Sequence, residues 1–455
     1  MKFRIKAIAS ACMLAICSLA AAEPAQEFML GNGMKVIVKE DHRAPTAAHM
    51  IWYRIGSMDE LNGTTGVAHA LEHMMFKGTK TLKPGEFSSR VAALGGRENA
   101  FTSKDYTGYY QQIEKSRLEA VMALEADRMA NLVFDKEEFS REIRVVMEER
   151  RLRTEDQPQG KLNEALNAAA FIAHPYHHPI VGWMNDLQNM TVDDARAWHD
   201  RWYAPNNAIM VVTGDVDAQQ VKALAEKHFG KIASKRIPVT KPQQEPAQEG
   251  IRRVTVKAPA ENPYVALAFK APTLRDVETD DDVHALDVLS AVLDGFDNAR
   301  LPARLVRTQR VANSVGASYS ANARGPVLFV LDGVPAAGTS TEQLETLLRN
   351  EVKRIAQEGV TEDELRRVKN QLIASQIYKR DSIFGQAMEI GVMEMTGISH
   401  RQIDRIIEKL GQVTAQQVQA VAAKYFNDDQ LTVATLVPLP LTDKKPAAPP
   451  ADLRH

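Results

Sequence analysis

Apolar residues recur along the chain in two rhythms, and the switches between them mark the elements. Between Glu27 and Glu40, Phe28-Met29-Leu30 and Met34-Lys35-Val36-Ile37-Val38 flank Gly31-Asn32-Gly33. An Asn-Gly step between apolar runs predicts a hairpin. The run Ala47 to Ile55 reads as a strand that ends at Gly56-Ser57. Residues 64–76, 86–94, 115–132, 191–203 and 218–229 take up helical spacing, and 135–154 reads as a long charged helix. Tyr106 to Ile113 and Ala208 to Gly214 read as strands.

Residues 232–250, rich in Pro, Gln and charge, suit an exposed linker. After it the pattern restarts. Strands are expected at Arg252–Lys257, Tyr264–Lys270, Val327–Asp332 and Leu431–Val437, and helices at 280–293, 340–357, 361–381 and 414–425. Both halves run strands, helix, strand, helices, strand. His69-Ala70-Leu71-Glu72-His73 in the first is echoed by His284-Ala285-Leu286-Asp287-Val288 in the second. This order predicts an α+β fold of two homologous domains, each a mainly antiparallel sheet packed with helices, the second lacking the chemistry of the first. Their expected limits are 23–231 and 251–438, joined by 232–250 and followed by a Pro- and Ala-rich flexible tail, 439–455.

Composition narrows the function. The 455 residues carry 56 Lys plus Arg against 58 Asp plus Glu, a net charge of −2, without the basic excess of a nucleic-acid binder. Lys2, Arg4 and Lys6 precede an uncharged stretch from Ala7 that closes on Ala20-Ala21-Ala22, so residues 1–22 read as a secretory signal peptide. The apolar run is too short for a stable membrane span. Cys12 and Cys17 both lie within it, so the exported chain has no thiols. The expected location is the periplasm.

The sharpest chemical signal is His69 to His73. On a helix, histidines four apart stand on one face and can both reach one zinc ion. Glu72 lies beside them, placed to take a proton from water. A solvated face or a core pair would show the same spacing. In residues 141–149, Glu142 and Glu149 are two turns apart and share a face, while Glu148 points elsewhere. Taken alone, that stretch is a charged surface helix.

Taken together, the two segments resemble the pitrilysin-type (M16) zinc metallopeptidases. That family carries His-x-x-Glu-His followed about 75 residues later by Glu-x-x-x-Val-x-x-Glu. Here these are His69 to His73, then Glu142, Val146 and Glu149, with Glu149 76 residues after His73. The resemblance implies that His69, His73 and Glu149 hold Zn2+, that Glu72 is the general base and that Glu142 orients a ligand. Manganese or cobalt would also suit such donors. Gly95-Gly96 and Asn99-Ala100-Phe101-Thr102 resemble the family's edge strand, implying that Asn99 and Ala100 pair with the substrate backbone. Pro175 to Gly182 and Tyr203 to Asn207 resemble family landmarks without catalytic duty, and His174, His177 and His178 read as loop histidines outside the metal site.

The resemblance covers nearly the whole exported chain and is to the two-domain, processing-peptidase-like kind. It implies half of a clamshell and a zinc endopeptidase of peptides or small unfolded proteins. The alternative is a non-catalytic structural or peptide-binding subunit. One departure stands out. Family assemblies carry an Arg and a Tyr in a C-terminal domain, in a segment like Leu-Arg-Glu-x-Arg-Gly-x-x-Tyr-Ser-Val. In Leu305 to Val315, Val306 and Gln309 occupy the Arg positions and Asn313 the Tyr position, with Arg307 and Arg310 one residue later. The broken pair implies a partner chain that supplies it while lacking the zinc motif, a homodimer being the other arrangement.

Overall fold

A computed structural model describes residues 24–441. The expected signal peptide, both cysteines and most of the expected tail lie outside these residues. The first sheet contains β1 (Gln26–Met29), β2 (Lys35–Glu40), β3 (Thr46–Tyr53), β4 (Arg97–Thr102), β5 (Thr107–Glu114) and β6 (Ala208–Gly214). The second contains β7 (Arg252–Pro259), β8 (Tyr264–Ala271), β9 (Ala312–Ser318), β10 (Val327–Pro335) and β11 (Leu431–Leu439).

Their orders are β1-β2-β6-β3-β5-β4 and β7-β11-β8-β10-β9. With β1 set aside, both run first, last, second, fourth, third. In each, the first and last strands pair in parallel and the others antiparallel. This is the duplicated α+β unit that the element order predicts. The Asn-Gly hairpin joins β1 to β2 in the register Phe28↔Val36, and Gly33 supplies the positive φ of 86° that its turn needs.

The helices of the first half are α1 (Val67–Met74), α2 (Glu86–Ala93), α3 (Leu118–Asn131), α4 (Lys136–Arg150), α5 (Pro158–Ala170), α6 (Met184–Asn189), α7 (Val192–Trp202) and α8 (Ala218–Phe229). Those of the second are α9 (Asp281–Asp294), α10 (Thr341–Glu358), α11 (Glu362–Lys379), α12 (Ile383–Thr396), α13 (Ile403–Gln412) and α14 (Ala415–Tyr425). One face of each sheet buries a large core against helices of its own half. The other face is covered by a helix from the opposite half. On α5, Leu162 and Leu166 pack against Ala266, Ala268 and Ala434 of the second sheet. On α12, Ala387, Ile390 and Met395 pack against Met50, Trp52 and Val211 of the first.

The two units are therefore interlocked. Gly391 of α12 shows how closely: a Cβ there would stand 2.1 Å from Trp52 Cε2. Gly391→Ala is expected to lower stability by about 1–3 kcal/mol, the clash outweighing the gain in helix propensity. A urea midpoint equal to or above that of the parent would show that α12 does not sit this tightly.

The exposed linker expected at 232–250 has no helix or strand but is tied down. Glu245 accepts the N–H groups of Ile172, Ala173 and His174 and an Nζ–H of Lys270 at 2.9–3.0 Å. Gln248 donates to the carbonyl of Leu431 at 2.6 Å. These polar side chains find backbone partners, which anchors a segment that is otherwise exposed.

Candidate metal centre and active site

All eight residues of α1 are buried, and the helix owes its position to two carboxylates. Glu60 accepts the N–H groups of Gly66 at 2.8 Å and Ala68 at 2.9 Å, answering free donors at the helix start. Asp186 accepts from the N–H groups of Gly63 and Thr65 and, at 2.6 Å, from the Thr65 hydroxyl. Gly66 takes a φ of 87°, and a Cβ there would lie 2.5 Å from the Val181 carbonyl. Neighbouring α4 starts at Asp135, whose side chain accepts from Glu137 and Glu138 N–H. The histidine pair is not a solvated face, and α4, although Glu137, Ser140, Arg141 and Arg144 are exposed, turns Glu142 and Glu149 inward. His69, Glu72, His73, Glu142 and Glu149 are each less than a tenth exposed.

Donor atoms of His69, His73 and Glu149 all lie within 4.8 Å of one another. Glu149 Oε2 is 3.5 Å from His69 Nε2 and 3.4 Å from His73 Nε2. Donors about 2.1 Å from a tetrahedral centre stand about 3.4 Å apart, so this spacing fits a zinc ion. His73 is turned by Glu142, whose Oε2 is 3.4 Å from Nδ1 and whose Oε1 takes Lys77 Nζ at 2.8 Å. Glu149 Oε1 is held by Arg153 Nη1 at 2.5 Å, leaving Oε2 to face the histidines. Burial opposes the charge on His73, but Glu142 and Glu149 outweigh it and lift its pKa to about 9. Burial likewise opposes the charge of Glu149, yet His73, His69 and Arg153 hold its pKa down to about 2.

Glu72 stands beside these donors and accepts a hydrogen bond from the Thr102 hydroxyl at the end of β4. Burial raises its pKa, and Thr102 and His73 moderate the rise. Asn99 and Ala100 are half-buried on β4, the outermost strand of the sheet. Ala100 N–H donates to Asn99 Oδ1 at 2.8 Å. Both line, with His69, Glu72 and Glu149, a cavity of about 600 Å3.

Of the remaining expected residues, His177 and His178 line this cavity without joining the donors, and the others lie outside it. His174 caps its own turn, its Nδ1 accepting from Tyr176 N–H at 3.2 Å, and His178 Nε2 meets Asn62 Oδ1 at 2.9 Å. Neither joins the donor cluster. Val306 and Gln309 precede β9, and Asn313 lies on it. None of the three lines the cavity at Glu72. Lys77, Arg153 and Lys104 carry no signal of their own in the sequence, whereas Thr102 closes the Asn99–Thr102 motif.

The family model described as Insulinase (Peptidase family M16) matches residues 35–182. A second, described as Peptidase M16 inactive domain, matches 189–372. The chain belongs to the M16 peptidase family. Among its relatives is the zinc protease PqqE of Helicobacter pylori, 32% identical over 456 residues, covering 96% of this chain and 99% of that one. A solved protease from Helicobacter pylori superposes with a TM-score of 0.86 at 31% identity, covering 91% and 100% of the two chains. The periplasmic protease PqqL of Escherichia coli shares the fold, with a TM-score of 0.77 at 20% identity. This M16 chain matches 48% of its length, using 92% of its own. Among the described residues, no helix is long and apolar enough to cross a membrane.

Proposed function

We propose that this M16 chain is a zinc-dependent endopeptidase that cleaves peptides or small unfolded proteins in the periplasm, after loss of residues 1–22. The supporting observation is the convergence of His69, His73 and Glu149, at tetrahedral spacing, with Glu72 in one cavity beside the edge strand β4. In this reading, 23–231 is the zinc-bearing domain and 251–438 its homologue without the motif. The segment 232–250 joins them. His69, His73 and Glu149 hold the metal and Glu142 orients His73.

Bound zinc supplies Lewis acidity, acidifying water and polarising a carbonyl. Glu72 then takes the proton of the attacking water and returns it to the leaving amine. Asn99 and Ala100 carry the peptide backbone, with Asn99 Oδ1 giving up the Ala100 N–H to a substrate carbonyl.

The chain is also proposed to work as a heterodimer. Asn313, Val306 and Gln309 leave the Arg/Tyr pair unfilled, so a related chain without the zinc motif would supply it, a second copy being the other candidate. The test is cleavage of unstructured peptides by zinc-loaded protein, alone and with such a chain. Cleavage is expected to rise steeply on pairing. Full activity of the lone monomer or homodimer would remove the heterodimer, and zinc-loaded pairs that cleave nothing would remove the endopeptidase.

A further inference from the structure

The cavity at Glu72 contains one positive charge that no acid answers. Its acidic groups are all engaged: Glu149 by Arg153 at 2.5 Å, Glu164 by Arg150 at 2.7 Å, and Glu72 by Thr102. Arg153 is thereby taken. Lys104, two residues beyond β4, lines this cavity and also an adjoining one of about 510 Å3. Its Nζ donates to two neutral acceptors, Asn167 Oδ1 and the Tyr176 carbonyl, each at 2.9 Å. It also lies 5.0 Å from the centre of the Tyr176 ring.

No ion pair forms at Lys104 among the described residues. The adjacent acid, Asp105, is occupied by the Tyr176 hydroxyl, and its pull on Lys104 only partly offsets burial, which drives the lysine pKa down to about 8. Arg324, close by, is neutralised by Asp59 at 2.7 Å. An ammonium has three donors, of which Lys104 spends two. Keeping such a charge half-buried without a counter-ion is costly unless something that visits the cavity brings one.

We propose that Lys104 is the docking point for a carboxylate of the substrate, so that the enzyme selects peptides with an acidic side chain near the scissile bond or a free C-terminus close to it. This rests on the reading of the cavity as the site of peptide cleavage. If Lys104 only ties the end of β4 to α5 and the 175–177 turn, its loss costs stability and leaves selectivity untouched.

The test uses peptide pairs differing by Glu or Gln, scanned over the positions flanking the cleaved bond, and a second pair with free or amidated C-terminus. For the full, zinc-loaded enzyme, kcat/KM is expected to favour the carboxylate at one position by about tenfold. Lys104→Met should bring the ratio to near one, and Lys104→Arg should keep it. The responding pair tells side chain from C-terminus. Equal rates for both members of every pair, or a preference that survives Lys104→Met, would overturn the proposal.

A second arm measures Kd of the same peptides on Glu72→Gln protein that retains Lys104. It needs neither turnover nor a Lys104 variant that folds. There too about a tenfold preference for the carboxylate is expected, and equal affinities would overturn the proposal. If no peptide is cleaved while this binding preference stands, cleavage is what fails, not the role of Lys104.

Discussion

Glu72→Gln is expected to lower peptide cleavage by about a hundredfold to ten-thousandfold while metal content stays at the level of the parent. The substitution isolates one property. Glutamine has nearly the volume of glutamate, and its carbonyl oxygen can still accept the hydroxyl of Thr102, which fixes Glu72 in the parent. The amide cannot take up a proton. The proposed metal donors are other residues, and Glu72 is not among the three that converge. Burial raises the pKa of Glu72, bringing it nearer to neutrality. A base so placed is better matched to a proton that must be accepted and then given back. The readouts are kcat on an unstructured peptide and metal analysis of the same sample. Cleavage within tenfold of the parent would remove Glu72 as the base. Loss of metal together with cleavage would make it a structural support of the centre.

The sequence discloses the centre of this site better than its surroundings, for a physical reason. The spacing of His69 and His73 is a property of one helix, and that of Glu142 and Glu149 a property of another, so periodicity alone places each pair on a face. The shared strand order of the two sheets is likewise a repeat of local patterns. What escapes is whatever depends on pairs distant along the chain. Arg153 and Lys77 act on residues of the centre, but in sequence they are two more charges on polar surfaces. Lys104 acquires meaning only when α5 and the Tyr176 turn close over it.

The helices α5 and α12 escape for a related reason. On α5 the apolar stripe is little more than Leu162 and Leu166, enough because the facing strands present alanines. On α12, Gly391 replaces the bulk that a periodicity search looks for, since Trp52 fills its place from the other half. Strand β9 hides in Ala312–Ser318, where alternation is weak because it is the outermost strand of its sheet. The segment 232–250 has the exposure its composition suggests, while its anchoring by Glu245 depends on residues distant along the chain.

The same geometry orders a second set of variants by their effect on metal affinity. Glu149→Gln should weaken zinc binding by more than about a hundredfold, because it removes one of three donors, whereas Glu142→Gln, which acts through His73, should cost about tenfold to a hundredfold. The charges explain the gap. Glu149 is held ionised by His73, His69 and Arg153, so a neutral amide at 149 deletes the negative charge that faces both histidines. Among the proposed donors Glu142 touches only His73, at Nδ1, its other oxygen holding Lys77, and its amide can still accept at Nδ1 if it turns its oxygen inward.

Proton linkage gives an independent check on this ordering. Without metal, His73 holds a proton to about pH 9, and a ligand nitrogen must lose it to bind. Zinc affinity of the parent should therefore climb as pH rises towards 9. Removing either carboxylate lowers the His73 pKa, so the climb should end at lower pH in both variants. Competition titrations with a chromophoric chelator across pH 6–9.5 (a range set about the His73 pKa) measure both effects. Equal affinity in Glu149→Gln and the parent would exclude Glu149 from the metal, and a Glu142→Gln loss as large as that of Glu149→Gln would make Glu142 a ligand itself.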